Sequence, residues 1–203
     1  MPCVKWSNVS SSTIVAMRSV FLDRDGTINR EVHHLRRVEE LVLLDGASEG
    51  IRLLNRAGLR VIVVTNQAAV ARGLLSEARL AEIHAELQGM LAREGAYVDA
   101  IYYCPHHPSE GFGRYRQQCD CRKPRTGSLV RAAVDLGLDL SQSFCVGDKK
   151  SDLDAGRAAG CRTILVRTGY GFATQAQLDG HPWQPDFIAA NLLEAARWIL
   201  AQN

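Results

Sequence analysis

A doubly wound α/β sheet of mostly parallel strands, Rossmann-like and three layers deep, is the fold this sequence predicts. Three observations lead there. Short runs rich in β-branched and aromatic residues alternate along the chain with stretches of helical periodicity, the pattern of parallel strands joined by crossover helices. The polar and charged clusters fall directly after those runs, where open sheets of this kind bind ligands. No Ser-, Gly- or Pro-rich linker divides the 203 residues, a length sufficient for one substantial core.

The first strand is expected at 17–22, directly before Asp23. A helix over 47–57 closes on Gly58 as a C-terminal cap, and the second strand follows at 59–65. Ser76 then caps a long helix in which Leu80, Ile83, Leu87 and Met90 or Leu91 form one apolar stripe. Strands at 98–103, 143–147 and 163–167 alternate with helices at 128–136, 153–159 and 192–201. Residues 17–203 are thus expected to make one domain without a large cap domain. Residues 1–16 are polar and unpatterned until Ile14, and read as an N-terminal extension, disordered and dispensable or a product of start-site choice.

Lys+Arg 24 against Asp+Glu 22 leaves a formal charge of +2, too balanced to argue for a nucleic-acid or membrane surface. The chain lacks any apolar run long enough to span a bilayer and any basic-then-apolar leader, so a soluble, cytoplasmic protein is expected, and a monomer. In that compartment the six cysteines suit thiols or metal ligands better than disulfides.

The most informative run is Val20 Phe21 Leu22 Asp23 Arg24 Asp25 Gly26 Thr27. Side chains alternate along a strand, so Asp23 and Asp25 are expected side by side where the strand gives way to a glycine turn. Two adjacent acids repel unless a cation lies between them, and a hard, oxygen-liganded cation such as Mg²⁺ meets that need. The alternative is a solvated Asp-Gly turn. After the second strand come Thr65, Asn66 and Gln67, donors for phosphate oxygens or simple turn residues. After the fourth come Gly147, Asp148, Lys149 and, four residues beyond Asp148, Asp152. Asp148 is the better metal ligand, while Asp152 suits a cap for the helix starting near Leu153. Arg122 and Lys123 offer a fork and a point charge for phosphate, or solvated surface.

Cys104, His106, Cys119 and Cys121 form a Cys-x-His and a Cys-x-Cys joined by a loop over 104–121. Three thiolates and one imidazole make a closed, structural Zn²⁺ site. His107 is an alternative to His106, and a Cys119–Cys121 disulfide or free thiols are the rival readings. Cys3, Cys145 and Cys161 have no partner at metal spacing, and buried apolar positions suit them. The loop ends beside Arg122 and Lys123, so zinc would fix the segment that delivers both cations.

Acid pair, hydroxyl, lysine and further acid, in that order on successive strand ends, resemble the haloacid dehalogenase-like phosphohydrolases over residues 20–169. The resemblance implies that Asp23 attacks phosphorus to give an aspartyl-phosphate, and that Asp25 protonates the departing oxygen and then activates water. It implies that Thr65 and Lys123 hold the phosphoryl group. It also implies Mg²⁺ bound by Asp23, the Asp25 backbone carbonyl and Asp148. The Asp23 charge is expected to raise the pKa of Asp25 toward the protonated form, with Mg²⁺ pulling the other way.

Within that superfamily FLDRDGTIN at 21–29, VVTNQ at 63–67, ARG at 71–73, IYYCPHHP at 101–108, CDCRKP at 119–124, VGDK at 146–149 and VRTG at 166–169 resemble the heptose bisphosphate phosphatases. This implies removal of the C7 phosphate of a heptose 1,7-bisphosphate in activated-heptose and lipopolysaccharide-core synthesis, with Glu31, Asn66, Gln67, Arg122 and Lys149 contacting the sugar substrate. Two segments depart from the family pattern. Gln67 Ala68 Ala69 Val70 stands where Gln-Ser-Gly-Ile is expected, and Glu31 Val32 His33 His34 lacks the usual Asp-His-Gly-Tyr. Both bear on substrate grip rather than phosphoryl chemistry. Histidinol-phosphate phosphatase is the enzymatic alternative, although fifteen positions from Cys104 to Cys119 make a long loop for it. A nucleic-acid end-binding or 3′-phosphatase module would need a basic, aromatic-lined groove, which the charge balance and 6% aromatic content do not supply.

Overall fold

Ser19–Leu22 forms the first strand, β1, in the interior of a six-stranded sheet. The computed structural model describes residues 17–202, so the expected extension at 1–16 and Cys3 lie outside the described residues. The other strands are β2 (Arg60–Asn66), β3 (Ala100–Cys104), β4 (Phe144–Gly147), β5 (Arg162–Val166) and β6 (Phe187–Ala189). They are all parallel, in the order β3-β2-β1-β4-β5-β6. This is the doubly wound order, and the direction of winding reverses between β1 and β4. A crevice therefore opens beyond the carboxyl ends of those two strands.

Helices α1 (Ala47–Arg56), α2 (Ala68–Ala71), α3 (Glu77–Arg93), α4 (Gly127–Leu136), α5 (Lys150–Ala158), α6 (Gly171–Leu178) and α7 (Leu192–Leu200) cover the sheet. The period-2 alternation of strand side chains divides the core in two. Val20, Leu22, Val61 and Val63 face Ile51 and Leu54 of α1, Leu80, Ile83 and Leu87 of α3, and Ala195 and Ile199 of α7. Phe21, Ile62 and Val64 face the other way, onto Leu129 and Ala132 of α4 and Ala155 of α5. Strands buried on both faces explain why the runs read as continuous apolar segments. Cys145 and Cys161 are buried in the second cluster, as small apolar residues would be.

The α3 stripe resolves with Leu91 fully buried and Met90 only packed against its edge. Ser76 caps that helix, its hydroxyl accepting from the Arg79 N–H at 3.1 Å. Three elements lie outside the sequence expectation: α2, α6 and β6. Helix α5 also begins at Lys150 rather than near Leu153, which corrects the role of Asp152. Asp152 sits inside the first turn and its Oδ2 accepts from the Lys149 backbone N–H at 3.0 Å, so it closes the helix start from within. Among the described residues no helix is long and apolar enough to cross a membrane.

Candidate active site

Asp23 directly follows β1, and its N–H continues the ladder by donating to the Val146 carbonyl at 3.0 Å. This places its carboxylate in the crevice between β1 and β4. Lys123 Nζ donates to Asp23 Oδ1 at 2.9 Å and to the Val64 carbonyl at 2.6 Å, and lies 2.7 Å from Asp152 Oδ1. Burial works against the Lys123 charge, but the Asp152 and Asp23 carboxylates outweigh it and hold the ammonium above its ordinary range. Burial pushes the Asp23 carboxyl up, with Lys123 opposing and Asp152 adding to the shift. Asp152 was expected only as a cap. Its contact with Lys123 makes it part of the site.

Oxygens of Asp23, Asp148 and Asp152 lie within 4.8 Å of one another. Of the three, Asp152 has both oxygens engaged, by Lys123 and Lys149. Asp148 Oδ2 accepts from the Tyr170 N–H at 2.8 Å, whereas its Oδ1 is buried with no hydrogen-bond partner. Burial, then the Asp23 charge, pushes the Asp148 carboxyl up to about 8. A buried, orphaned carboxylate oxygen beside a second acid is the donor set a hard cation requires, so the residues fit Mg²⁺. Two glycines make room for this arrangement. Gly26 (φ 86°) and Gly169 (φ 56°) pack against the Asp148 carboxylate so tightly that a Cβ on either would collide with it.

Asp25 is not among those clustered carboxylates, and its environment overturns the expected upward shift. Arg24 donates to it through Nε (3.1 Å to Oδ1) and Nη2 (2.9 and 2.8 Å to the two oxygens). Asn29 Nδ2 and Gln67 Nε2 each donate to it at 2.9 Å. Burial works to raise the Asp25 pKa, but the Arg24 charge and these hydrogen bonds prevail and lower it. Arg24 is itself completely buried, and its Nη1 meets His84 Nε2 of α3 at 3.0 Å. Arg24, Asn29 and His84 carried no sequence signal as site residues.

The remaining expected residues surround a pocket of about 290 Å³ lined by Asp25, Glu31, His34, Asn66, Gln67, Arg72, Arg122, Lys123 and Lys149. Lys149 Nζ pairs with Glu31 Oε2 at 2.9 Å and lies over the Tyr170 ring. Thr65 is buried at the end of β2, its hydroxyl accepting from Gln67 Nε2 at 2.9 Å. Asn66 and Gln67 were expected to grip substrate, yet their amides are engaged within the protein. Asn66 brackets the backbone of Lys123, donating to its carbonyl and accepting from its N–H at 3.0 Å each, and Gln67 joins Asp25 to Thr65. Both thereby tie neighbouring pocket residues to one another. The divergent segment near Glu31 forms one wall, with His34 Nε2 accepting from Arg72 Nη1 at 2.8 Å and His33 meeting Tyr170 at 3.0 Å.

Cys104, His106, Cys119 and Cys121 converge beside this pocket. Their S···S separations are 3.5 Å (Cys104–Cys119) and 3.3 Å (Cys119–Cys121), and His106 Nδ1 lies 3.5 Å from Cys121 Sγ and 3.9 Å from Cys104 Sγ. A tetrahedron with Zn–S bonds of about 2.3 Å has edges of about 3.8 Å, so the four donors fit a closed zinc site. His107 is turned elsewhere, its Nδ1 accepting from the Ser109 and Glu110 N–H groups. The cysteines are free thiols, against the disulfide alternative. Arg122 Nη1 donates to the His106 carbonyl at 3.1 Å and Ser128 Oγ to the Cys121 carbonyl at 2.9 Å, tying the loop to the segment that carries Lys123.

Comparison with known proteins agrees with this geometry. Residues 120–195 match a family model described as HAD-hyrolase-like. The D-glycero-D-manno-heptose-1,7-bisphosphate 7-phosphatase of Thermosynechococcus vestitus is 44% identical over 185 residues, covering 89% of this chain and 94% of that protein. The D-glycero-beta-D-manno-heptose-1,7-bisphosphate 7-phosphatase of Escherichia coli is 40% identical over 160 residues, covering 78% and 84%. A crystal structure of D,D-heptose 1,7-bisphosphate phosphatase from B. bronchiseptica, complexed with magnesium and phosphate, superposes with a TM-score of 0.82 at 36% identity, covering 92% of this chain and all of that one. The chain belongs to the heptose-1,7-bisphosphate 7-phosphatase family of haloacid dehalogenase-like hydrolases and is a phosphoric monoester hydrolase.

Proposed function

We propose that the chain removes the C7 phosphate of D-glycero-D-manno-heptose 1,7-bisphosphate through an aspartyl-phosphate on Asp23, supplying the heptose 1-phosphate to activated-heptose and lipopolysaccharide-core synthesis. The observation that carries the reading is Lys123 Nζ held 2.9 Å from Asp23 Oδ1 beside the buried, unpartnered Oδ1 of Asp148. Asp23, the Asp25 backbone carbonyl and Asp148 would hold Mg²⁺. Bound there, Mg²⁺ supplies positive charge that offsets the charge on the phosphoryl oxygens and the attacking carboxylate.

Asp23 forms the new O–P bond as the bond to the C7 oxygen breaks, and Asp25 gives that oxygen its proton. Lys123 and the Thr65 hydroxyl bind the equatorial oxygens, where positioning and electrostatics account for most of the rate. Asp25 then takes a proton from the water that attacks phosphorus, freeing Asp23 and phosphate. Its low resting pKa suits this second role. For the first role, the negative charge of an arriving phosphate ester raises its proton affinity. Lys149 and Arg122 grip the distal end of the bisphosphate. Zn²⁺ on the cysteine loop takes no part in the chemistry and fixes the approach of Arg122 and Lys123.

The test is phosphate release with Mg²⁺ from both heptose bisphosphate anomers, histidinol phosphate and a 3′-phosphorylated oligonucleotide, each against Asp23→Asn. Preferred turnover of a heptose bisphosphate, absent in the variant, is expected. A preference for histidinol phosphate overturns the sugar assignment, and turnover by Asp23→Asn overturns the covalent mechanism.

A further inference from the structure

Arg24 stands between the two catalytic acids in sequence and is completely shielded from solvent. A buried guanidinium needs both a counter-charge and acceptors for its donors. Asp25 supplies the charge and takes the Nε and Nη2 edge at 2.8–3.1 Å. On the other side Nη1 meets Nε2 of His84, a residue sixty positions away on the inward face of α3. His84 is itself buried, with its ring 5.7 Å from that of Tyr103 on β3.

We propose that His84 is a positioning residue for the acid–base carboxylate, acting through Arg24. The inference rests on the role given to Asp25 above. A guanidinium is planar and rigid, so an acceptor that fixes the direction of Nη1 also fixes the direction of the Nε–Nη2 edge that holds Asp25. Only a neutral imidazole with an unprotonated Nε2 can accept there. Burial, followed by the Arg24 charge, lowers the His84 pKa to about 3, so the ring is neutral throughout the working range. The proton then sits on Nδ1. Asp25 is also bonded by Asn29 and Gln67, so losing His84 would misalign the carboxylate without releasing it.

The experiment compares wild type, His84→Leu and His84→Gln in phosphate release from heptose 1,7-bisphosphate with Mg²⁺, and in the ¹⁵N spectrum of the metal-free protein. Leucine fills the core position without an acceptor, and glutamine restores one. His84→Leu is expected to lower kcat about 10- to 100-fold with KM unchanged, the size of effect that misplacing a reacting group by a fraction of an ångström to an ångström produces. His84→Gln is expected to recover most of kcat. In the metal-free spectrum the slowly exchanging Arg24 guanidinium signals should persist in wild type and His84→Gln and vanish in His84→Leu. His84 itself should show an unprotonated Nε2.

Wild-type kcat in His84→Leu overturns the proposal, as does a loss that glutamine fails to recover. If His84→Leu does not fold, the wild-type tautomer decides, since a protonated Nε2 cannot accept from Arg24 and overturns it. A wild-type chain that releases no phosphate overturns the functional reading, and this role with it. That outcome is separable because it precedes any substitution.

Discussion

Lys123 Nζ lies 2.7 Å from Asp152 Oδ1, and both side chains are sealed from solvent. The ammonium faces two carboxylates, Asp23 and Asp152, so under the proposed mechanism its position stays set when its contact with Asp23 is exchanged for one with phosphate. Asp152 holds that place because its other oxygen closes the first turn of α5. One side chain thus links the Lys123 ammonium to the helix after β4.

Asp152→Ala removes the permanent partner of a buried cation, a change that typically costs about 3–5 kcal/mol. Chemical denaturation should show a loss of that order, accompanied by reduced kcat as Lys123 swings toward Asp23. Asp152→Asn keeps an acceptor for one of the two contacts and should lose less. Equal stability in all three proteins would show that the pair is incidental.

Zinc removal should disable the enzyme without touching the reacting groups. The Cys121 carbonyl and the His106 carbonyl are tied by Ser128 and Arg122, so loss of the metal frees the segment ending in Lys123. Cys119→Ser is expected to lower bound zinc, thermal stability and phosphate release together. Excess Mg²⁺ should not restore activity. Full activity in zinc-depleted protein would separate the loop from the catalytic lysine.

Asp148 can be tested by stability alone. Its folded pKa of about 8 exceeds the usual carboxylate value of 3.8, so its ionised form burdens the metal-free fold increasingly as pH rises between those values. Asp148→Asn should therefore melt higher than wild type in chelator at pH 8. Mg²⁺ should raise the wild-type Tm by ligand linkage and leave the variant unmoved. A variant still stabilised by Mg²⁺ would place the cation elsewhere.

The sheet was legible because strands buried on both faces leave unbroken apolar runs, as in β1, β2 and β4, while the edge strand β3, with Ile101 and Tyr103 half-buried, still reads as apolar and aromatic. β6 has only three residues, and α6, beginning on Gly171 and carrying little apolar pattern, looks like a loop. Asp23, Asp25, Thr65, Lys123 and Asp148 were visible because chemistry at strand ends imposes spacing on the chain. Arg24, His84 and the Lys123 contact of Asp152 were not. Arg24 reads as a solvated charge between two acids, and His84 occupies a position on the α3 core face that any apolar residue could fill. Their meaning comes from partners brought together only by folding.

His84 also sets a pH dependence. Its folded pKa of about 3 lies below the ordinary 6.5, so between those values the unfolded chain binds a proton that the folded one refuses. Stability from this group is complete above pH 6.5 and is lost as pH falls through that window, at up to about 1.4 kcal/mol per pH unit. Asp148 pulls oppositely, since its raised pKa favours the folded state as pH falls. The two are separated by taking the difference between wild type and His84→Gln, in which Asp148 is common to both. Unfolding free energies measured at pH 7, 6 and 5 should show that difference moving against wild type by about 1 kcal/mol or more between pH 6 and 5. A difference independent of pH would mean that His84 accepts a proton in the folded protein, and so cannot serve as the acceptor that Arg24 requires.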